Sequence, residues 1–253
     1  MDVELPGSAG RAHQISDAPP AAAEGFALRV FPRACRPSEH RTDRPLCLFT
    51  EIDPVTASPS RAPDHDIDSL FIERWSPRAF TGEAVPEAEL MRMFEAARWA
   101  PSSYNSQPWR FLYALRDTAH WDVFFDLLVP GNQKWVKDTG AIVFLVSNSM
   151  MKAGDELKPS WSHSLDAGAA SANFQLQAIR QGWHAHGMGG FDRERAISVL
   201  NVPLNHRVEA AYAVGRAVPR AELTPEQLPK ETPNGRRPIT DFAFAGGFKS
   251  PAA

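Results

Sequence analysis

Ala100-Pro-Ser-Ser-Tyr-Asn-Ser-Gln-Pro-Trp-Arg-Phe111 decides how the rest of this 253-residue chain is read. Two prolines stiffen it, and three serines, an asparagine and a glutamine give it hydroxyls and amides on a restrained backbone. A loop of that composition buries little apolar surface and holds polar ligands well, although most such loops are only turns. Its neighbours give it weight. Upstream, Val85-Pro86-Glu87 opens a helix with proline in the first turn and Glu87 and Glu89 favourable to the helix dipole. Leu90, Met93, Phe94 and Ala97 form its apolar face. Pro101 ends that helix, and Trp109 to Leu115 alternates as a strand, with Trp109, Phe111 and Tyr113 on one side.

Composition bounds the possibilities. A hydrophobic share of 43%, with seven Trp and fifteen Phe, is ample for a packed core. The net charge of −3 and pI near 6.2 argue against nucleic acid or an anionic membrane as partner. Cys35 and Cys47 form neither a metal motif nor a disulfide framework. The first residues lack the basic-then-apolar layout of a secretory signal, and no apolar run approaches membrane-spanning length. A cytoplasmic protein is the expectation. Residues 1–63 carry prolines too often for long elements and read as a poorly ordered Pro/Ala-rich extension, leaving 64–253 as the folded domain.

From Ile67 the texture changes. Ile67, Leu70, Phe71 and Trp75 are spaced as a short helix running into Arg74-Trp-Ser-Pro-Arg78, where Pro77 blocks its continuation. Arg74 and Arg78 flank the Ser76 hydroxyl, and a guanidinium fork suits phosphate. Residues 118–139 look helical and pass through Pro130-Gly-Asn-Gln-Lys-Trp135 before a short helical turn. Ala141 to Val146 is a buried strand. Ser147 to Ser164, with Met150, Met151, Trp161 and His163, reads as irregular: a substrate mouth or a surface loop. Leu165 to Gln181 is a helix with an apolar stripe at Leu165, Ala169, Ala172, Leu176 and Ile179, stopped by Gly182. Its alanines and Gly168 permit close helix contact, as a dimer interface needs. Trp183-His-Ala-His-Gly-Met-Gly-Gly-Phe-Asp192 frees the main chain for a ligand, and Asp192 caps a helix through Leu200. His184 and His186 resemble a strand-borne metal pair, but no further ligands support a metal site. Val208 to Val214 is a last strand, followed by a proline-rich tail.

Four pieces in this order carry a resemblance: Arg74-Trp-Ser-Pro-Arg78, Pro101-Ser-Ser-Tyr-Asn-Ser-Gln-Pro-Trp109, Gly187-Met-Gly-Gly-Phe-Asp192 and Gly235-Arg-Arg-Pro238. Over residues 66–248 the chain resembles the nitroreductase family of FMN-dependent NAD(P)H oxidoreductases. No GxGxxG or Walker loop competes. The resemblance implies an α+β fold of three layers, a mostly antiparallel sheet flanked by helices, in an intertwined homodimer with FMN at the subunit interface. It also implies site residues. Arg74, Trp75 and Ser76 correspond to the phosphate and ribityl end, and Arg236 to a phosphate-binding base in the C-terminal arm. Arg78 corresponds to the cation beside flavin N1 and O2, where a fixed charge stabilises the reduced ring. Pro101, Ser102, Ser103 and Asn105 would reach the flavin of the partner subunit, and Asn132 would lie near the pyrimidine ring. Gly187, Met188, Gly189 and Gly190 correspond to the backbone facing N5. Charged hydrogen bonds from Arg74 and Arg236 to the phosphate contribute roughly 1.5–3 kcal/mol each.

Activity follows as an expectation: NADH or NADPH reduces the flavin, leaves, and an electron-poor acceptor such as a nitroaromatic or quinone takes its place. No side-chain nucleophile is required, because the flavin carries the chemistry. Tyr104, Trp161 and His186 are candidate substrate-lining residues. Trp75, Gly189 and Trp135 depart from residues common in the family, and Ser147–Ser164 looks shorter than the helical region of large members. The alternatives are a flavin-handling protein without turnover, dehalogenation, flavin fragmentation or azoline dehydrogenation.

Overall fold

The computed structural model describes residues 61–248, so the extension through residue 60, including both cysteines, lies outside the described residues. Arg61, Ala62 and Pro63, expected to belong to the extension, are instead described with the domain, where Arg61 bonds to Arg74 and Asn234.

Strand β2 (Ala141–Asn148) is the spine. It pairs antiparallel with β1 (Trp109–Leu115) on one side and β6 (His206–Gly215) on the other, and β5 (His184–Met188) pairs with the far edge of β6. The sheet order is therefore β1-β2-β6-β5, antiparallel throughout. Side chains alternate across a strand, so β2 sends Ala141, Val143 and Leu145 to one face and Ile142, Phe144 and Val146 to the other. Both sets are buried, which explains why the run is apolar without interruption.

Helices α2 (Glu87–Arg98) and α5 (His163–Arg180) cover the first face, through Leu90, Met93, Ala97, Ala167, Ala170, Phe174 and Ala178. Stacked rings of Phe94, Phe111 and Phe174, 5.1–5.7 Å apart, bind that layer together. Helices α3 (Trp121–Phe125), α4 (Pro130–Val136) and α6 (Arg193–Val199) cover the second through Phe124, Val136 and Ala196. The expected three-layer α+β architecture is present. The shortest helix, α1 (Leu70–Glu73), precedes the arginine motif.

Several expectations need correction. The stretch Pro130–Trp135 is not a lead-in to a helical turn; with Pro130 at its start it is α4 itself. Met150–Ala153 (β3) and Glu156–Pro159 (β4) form a small hairpin within the segment read as irregular. Mostly exposed residues leave no alternating pattern there to read. The stripe on α5 is rotated: Ala167, Ala170, Phe174 and Ala178 face the sheet, whereas Leu165 is 68% exposed and Ala172 also faces out. This helix has apolar residues at i, i+3 and i+4 on two sides, and periodicity alone cannot rank them.

Its ends match the pattern better. Gly182, at φ 76°, closes a terminus in which its N–H donates to the Ile179 carbonyl and that of Trp183 to Ala178. At the other end the register of β2 and β6 slips by one residue, leaving Glu209 opposite no partner. This bulge turns the Glu209 carboxylate toward α5, where the Ser147 and Ser164 hydroxyls each donate to it at 2.6 Å.

Phe174→Ala removes a fully buried ring shared by α2, α5 and β1. The expected loss is about 3–5 kcal/mol of unfolding free energy in urea titration, with unchanged secondary structure in the folded baseline.

Candidate active site

The site forms along β5, the edge strand, where the Arg74–Phe80 segment runs past it. Trp75 meets His184 edge-on, with ring centroids 6.1 Å apart. Two residues on, His186 Nδ1 lies 2.7 Å from the Pro77 carbonyl. A carbonyl only accepts, so Nδ1 carries the proton of the neutral ring. Burial holds the His186 pKa below its ordinary value, and the positive charges of Arg78 and Arg74 act in the same direction. Trp135 of α4 packs on the other side of His186 at 4.6 Å and stacks on Phe80 at 6.0 Å. These contacts fix the Ser76–Pro77 bend against the strand.

Arg74 is half-buried, and its Nη1 lies 3.4 Å from both the Ser76 hydroxyl and the Gln175 side-chain oxygen. Gln175 in turn donates to the Ser171 hydroxyl at 3.2 Å, which lies 2.5 Å from the Tyr212 hydroxyl beneath Gly187. This chain of polar groups anchors the Arg74 guanidinium to the core. Burial, then the charge of Arg236, lowers the Arg74 pKa. Among the described residues, Arg74, Arg78 and Arg236 make no ion pair with any carboxylate. The backbone N–H of Arg78 donates to both oxygens of the buried Glu231, 3.0 Å from each, which pins the C-terminal arm to the motif; among the described residues the exposed Arg78 guanidinium is in no ion pair.

At the end of β5 the glycines differ in purpose. A Cβ on Gly190 would strike the Asn132 amide at 2.7 Å, and Asn132 Nδ2 donates to the Gly190 carbonyl at 2.9 Å. Close approach to α4 therefore requires Gly190. At Gly189 a Cβ would meet nothing within 4 Å, so its exposed backbone faces open space. Met188 points its side chain into the second core layer and offers only its main chain.

The stretch 101–107 lies elsewhere in the single chain. Its Ser103 N–H donates to the buried Asp166 carboxylate at the start of α5, 3.2 Å away, and the Ser102 hydroxyl accepts from the Gln107 N–H. Tyr104, Asn105 and Gln107 all have φ near +50°, a cost that side-chain-bearing residues bear only where the surroundings enforce it. Tyr104 is 89% exposed. Asp166 and Gln175 are separated along α5 by about 13–14 Å at 1.5 Å per residue. Among the described residues, no hydrogen bond or ion pair joins residues 101–105 to Arg74, Ser76, Arg78 or the glycines. Trp161 is 83% exposed, and among the described residues no ring contact joins it to His186.

Gln175, Glu231 and Asp166 were missed in the sequence. Gln175 follows Ser171 by four residues, a spacing that puts both on one face of α5 and carried a readable signal. Glu231 lies in a tail without periodicity, where none existed.

One cavity of about 220 Å³ adjoins the cradle, lined by Arg61, Arg236, Phe71, Ile72 and Ile239 among others. The class is thus an antiparallel sheet between two helical layers, with an unpaired cationic cradle at the sheet edge. The profile of the Nitroreductase family matches residues 72–128 and 120–216. A solved structure described as an oxidoreductase containing FMN is 42% identical, covering 78% of this chain and all of that one, with a TM-score of 0.73. A Rhodopseudomonas palustris relative with a provisional NADH dehydrogenase/NAD(P)H nitroreductase name is 30% identical over 78 residues, 31% of this chain and 39% of that protein. The NADH dehydrogenase of Thermus thermophilus is 24% identical over 187 residues, 59% of this chain and 86% of that protein. The chain belongs to the nitroreductase family.

Burial, reinforced by Arg74 and Arg216, pushes the His184 pKa down to about 4. The unfolded chain binds this proton near pH 6.5 and the folded one does not, so folding stability falls as pH drops from 6.5 toward 4. The expected slope from this group approaches about 1.4 kcal/mol per pH unit, and His184→Gln should flatten the Tm profile in that window.

Proposed function

We propose that the chain is an FMN-dependent oxidoreductase that takes reducing equivalents from NADH or NADPH and passes them to an electron-poor acceptor, a nitroaromatic or quinone, in a ping-pong cycle. One observation carries the reading: among the described residues, Arg74, held beside Ser76 by Gln175, and Arg236 have no carboxylate partner, at an edge where the Gly189 backbone is open. Such a cradle fits a phosphate-bearing planar ligand. FMN supplies acceptance and donation of hydride when bound.

The chain's own residues bind and polarise. Arg74, Ser76 and Arg236 hold the phosphate, with Trp75 fixing the turn against His184. Arg78 contributes a positive charge. Gly187, Gly189 and Gly190, with Met188 through its main chain alone, let backbone N–H groups approach the ring. Asn132 shapes that loop through the Gly190 carbonyl. His186 and Trp135 wall the site.

The remaining half comes from a second copy in a homodimer. Two features support this reading: Tyr104 and Asn105, exposed and in the left-handed region, and the outward stripe of Leu165, Gly168 and Ala172 on α5. Pro101, Ser102, Ser103 and Asn105 then face the partner's flavin, with Tyr104 and Trp161 near the acceptor. Among the described residues no helix is long and apolar enough to cross a membrane, and a cytoplasmic setting would supply the reduced nicotinamide.

The purified protein should be yellow, bleach anaerobically with NADH or NADPH, and recolour with menadione or a nitroaromatic. A colourless protein that takes up no FMN overturns the proposal, and tight FMN binding without turnover reduces it to a flavin-binding role. Arg74→Ala should weaken FMN binding about ten- to a hundredfold, while Arg78→Ala should slow bleaching with FMN retained. Equal FMN loss in both, with normal rates after reconstitution, contradicts these roles.

A further inference from the structure

Arg61 lies ahead of the matched family segment and outside every motif that carried the resemblance. Its side chain nevertheless reaches the cradle. Nη1 donates to the Asn234 carbonyl at 3.1 Å and Nη2 to the Arg74 carbonyl at 3.0 Å. Arg236 donates to the same Asn234 carbonyl at 3.2 Å, so two guanidinium groups are held within one hydrogen bond of a single oxygen. Arg61 Nε is enclosed and, among the described residues, has no hydrogen-bond partner.

Among the described residues no carboxylate forms an ion pair with Arg61, Arg74 or Arg236. The acid closest at hand, Asp64, lines the same cavity but accepts the Ile239 N–H at 3.1 Å. Burial, then the charges of Arg236 and Arg74, lowers the Arg61 pKa. Three like charges gathered with donors to spare and no acid repel one another, and an anion joining them relieves that repulsion. A phosphate monoester, doubly charged and rich in acceptor oxygens, matches that demand.

We infer that Arg61 is a third guanidinium of the phosphate-monoester site, binding the FMN phosphate while clasping the C-terminal arm onto the Arg74 turn. The inference rests on the flavin reading above. It assigns a binding role to a residue that sequence pattern alone consigned to the extension.

The test is fluorescence titration of the full-length chain, freed of flavin by dialysis, with FMN and with riboflavin, which lacks the phosphate. Arg61→Gln should weaken FMN binding about ten- to a hundredfold and leave riboflavin binding within about twofold. The slope of FMN affinity against salt should become shallower, and Arg61→Lys should recover part of the loss. Unchanged FMN affinity in Arg61→Gln overturns the inference. Equal weakening of FMN and riboflavin also overturns it, because Arg61 is then a clasp without phosphate contact. Intact FMN binding with a lost preference for NADPH over NADH would move the charge to the nicotinamide donor's phosphate and likewise reject it. A wild-type chain that takes up neither flavin fails the functional reading itself, whatever the variants do.

Discussion

Burial of β2 on both faces is the constraint on which this fold depends. A strand with Ala141, Val143 and Leu145 on one side and Ile142, Phe144 and Val146 on the other is stable only between two covered surfaces. That demand sets α2 and α5 on one layer and the shorter helices on the other. It also leaves β5 at the sheet edge, which is where a ligand site can form without dismantling the core.

The edge is furnished by charges left short of partners. Some arginines elsewhere find acids, Arg92 with Glu89, Arg98 with Glu95 and Arg216 with Glu83, while others such as Arg110 and Arg116 bond to main-chain carbonyls. At the cradle the same residue type is anchored through neutral groups, Gln175 and main-chain carbonyls. Neutral anchors fix position without cancelling charge, so the field remains available to an anion. Glu231, a buried acid nearby, engages the Arg78 backbone N–H rather than its guanidinium.

Much of the fold was legible in the residues. Pro86, Asp192 and Gly182 mark helix ends because capping and proline geometry are local rules, and each sits where the pattern put it. β1 and the core face of α2 were legible for the same reason. The α5 stripe was not, since two faces of that helix are apolar and only the sheet selects between them. The β3–β4 hairpin was hidden by exposed residues with no alternation. Within the candidate site, the glycine segment, both arginines of the first motif and the Ser171–Gln175 spacing are visible in the sequence, but the contacts that Gln175, Glu231 and Arg61 make are not. Their roles come from partners 101, 153 and 173 residues away in the chain.

The sequence by itself determined the local elements, the apolar spine and the family its motifs resemble, and it named the candidate site residues, because propensity, capping and motif order act over short spans. The tertiary structure decided which face of α5 is core, which arginines share one carbonyl oxygen, and that residues 101–105 lie apart from the cradle within one chain. Those are outcomes of packing between distant segments, and no local pattern encodes them. Within Ala100–Phe111, only Tyr104, Asn105 and Gln107 sit in the left-handed region, and the bond from the Ser103 N–H to Asp166 ties that turn to the start of α5.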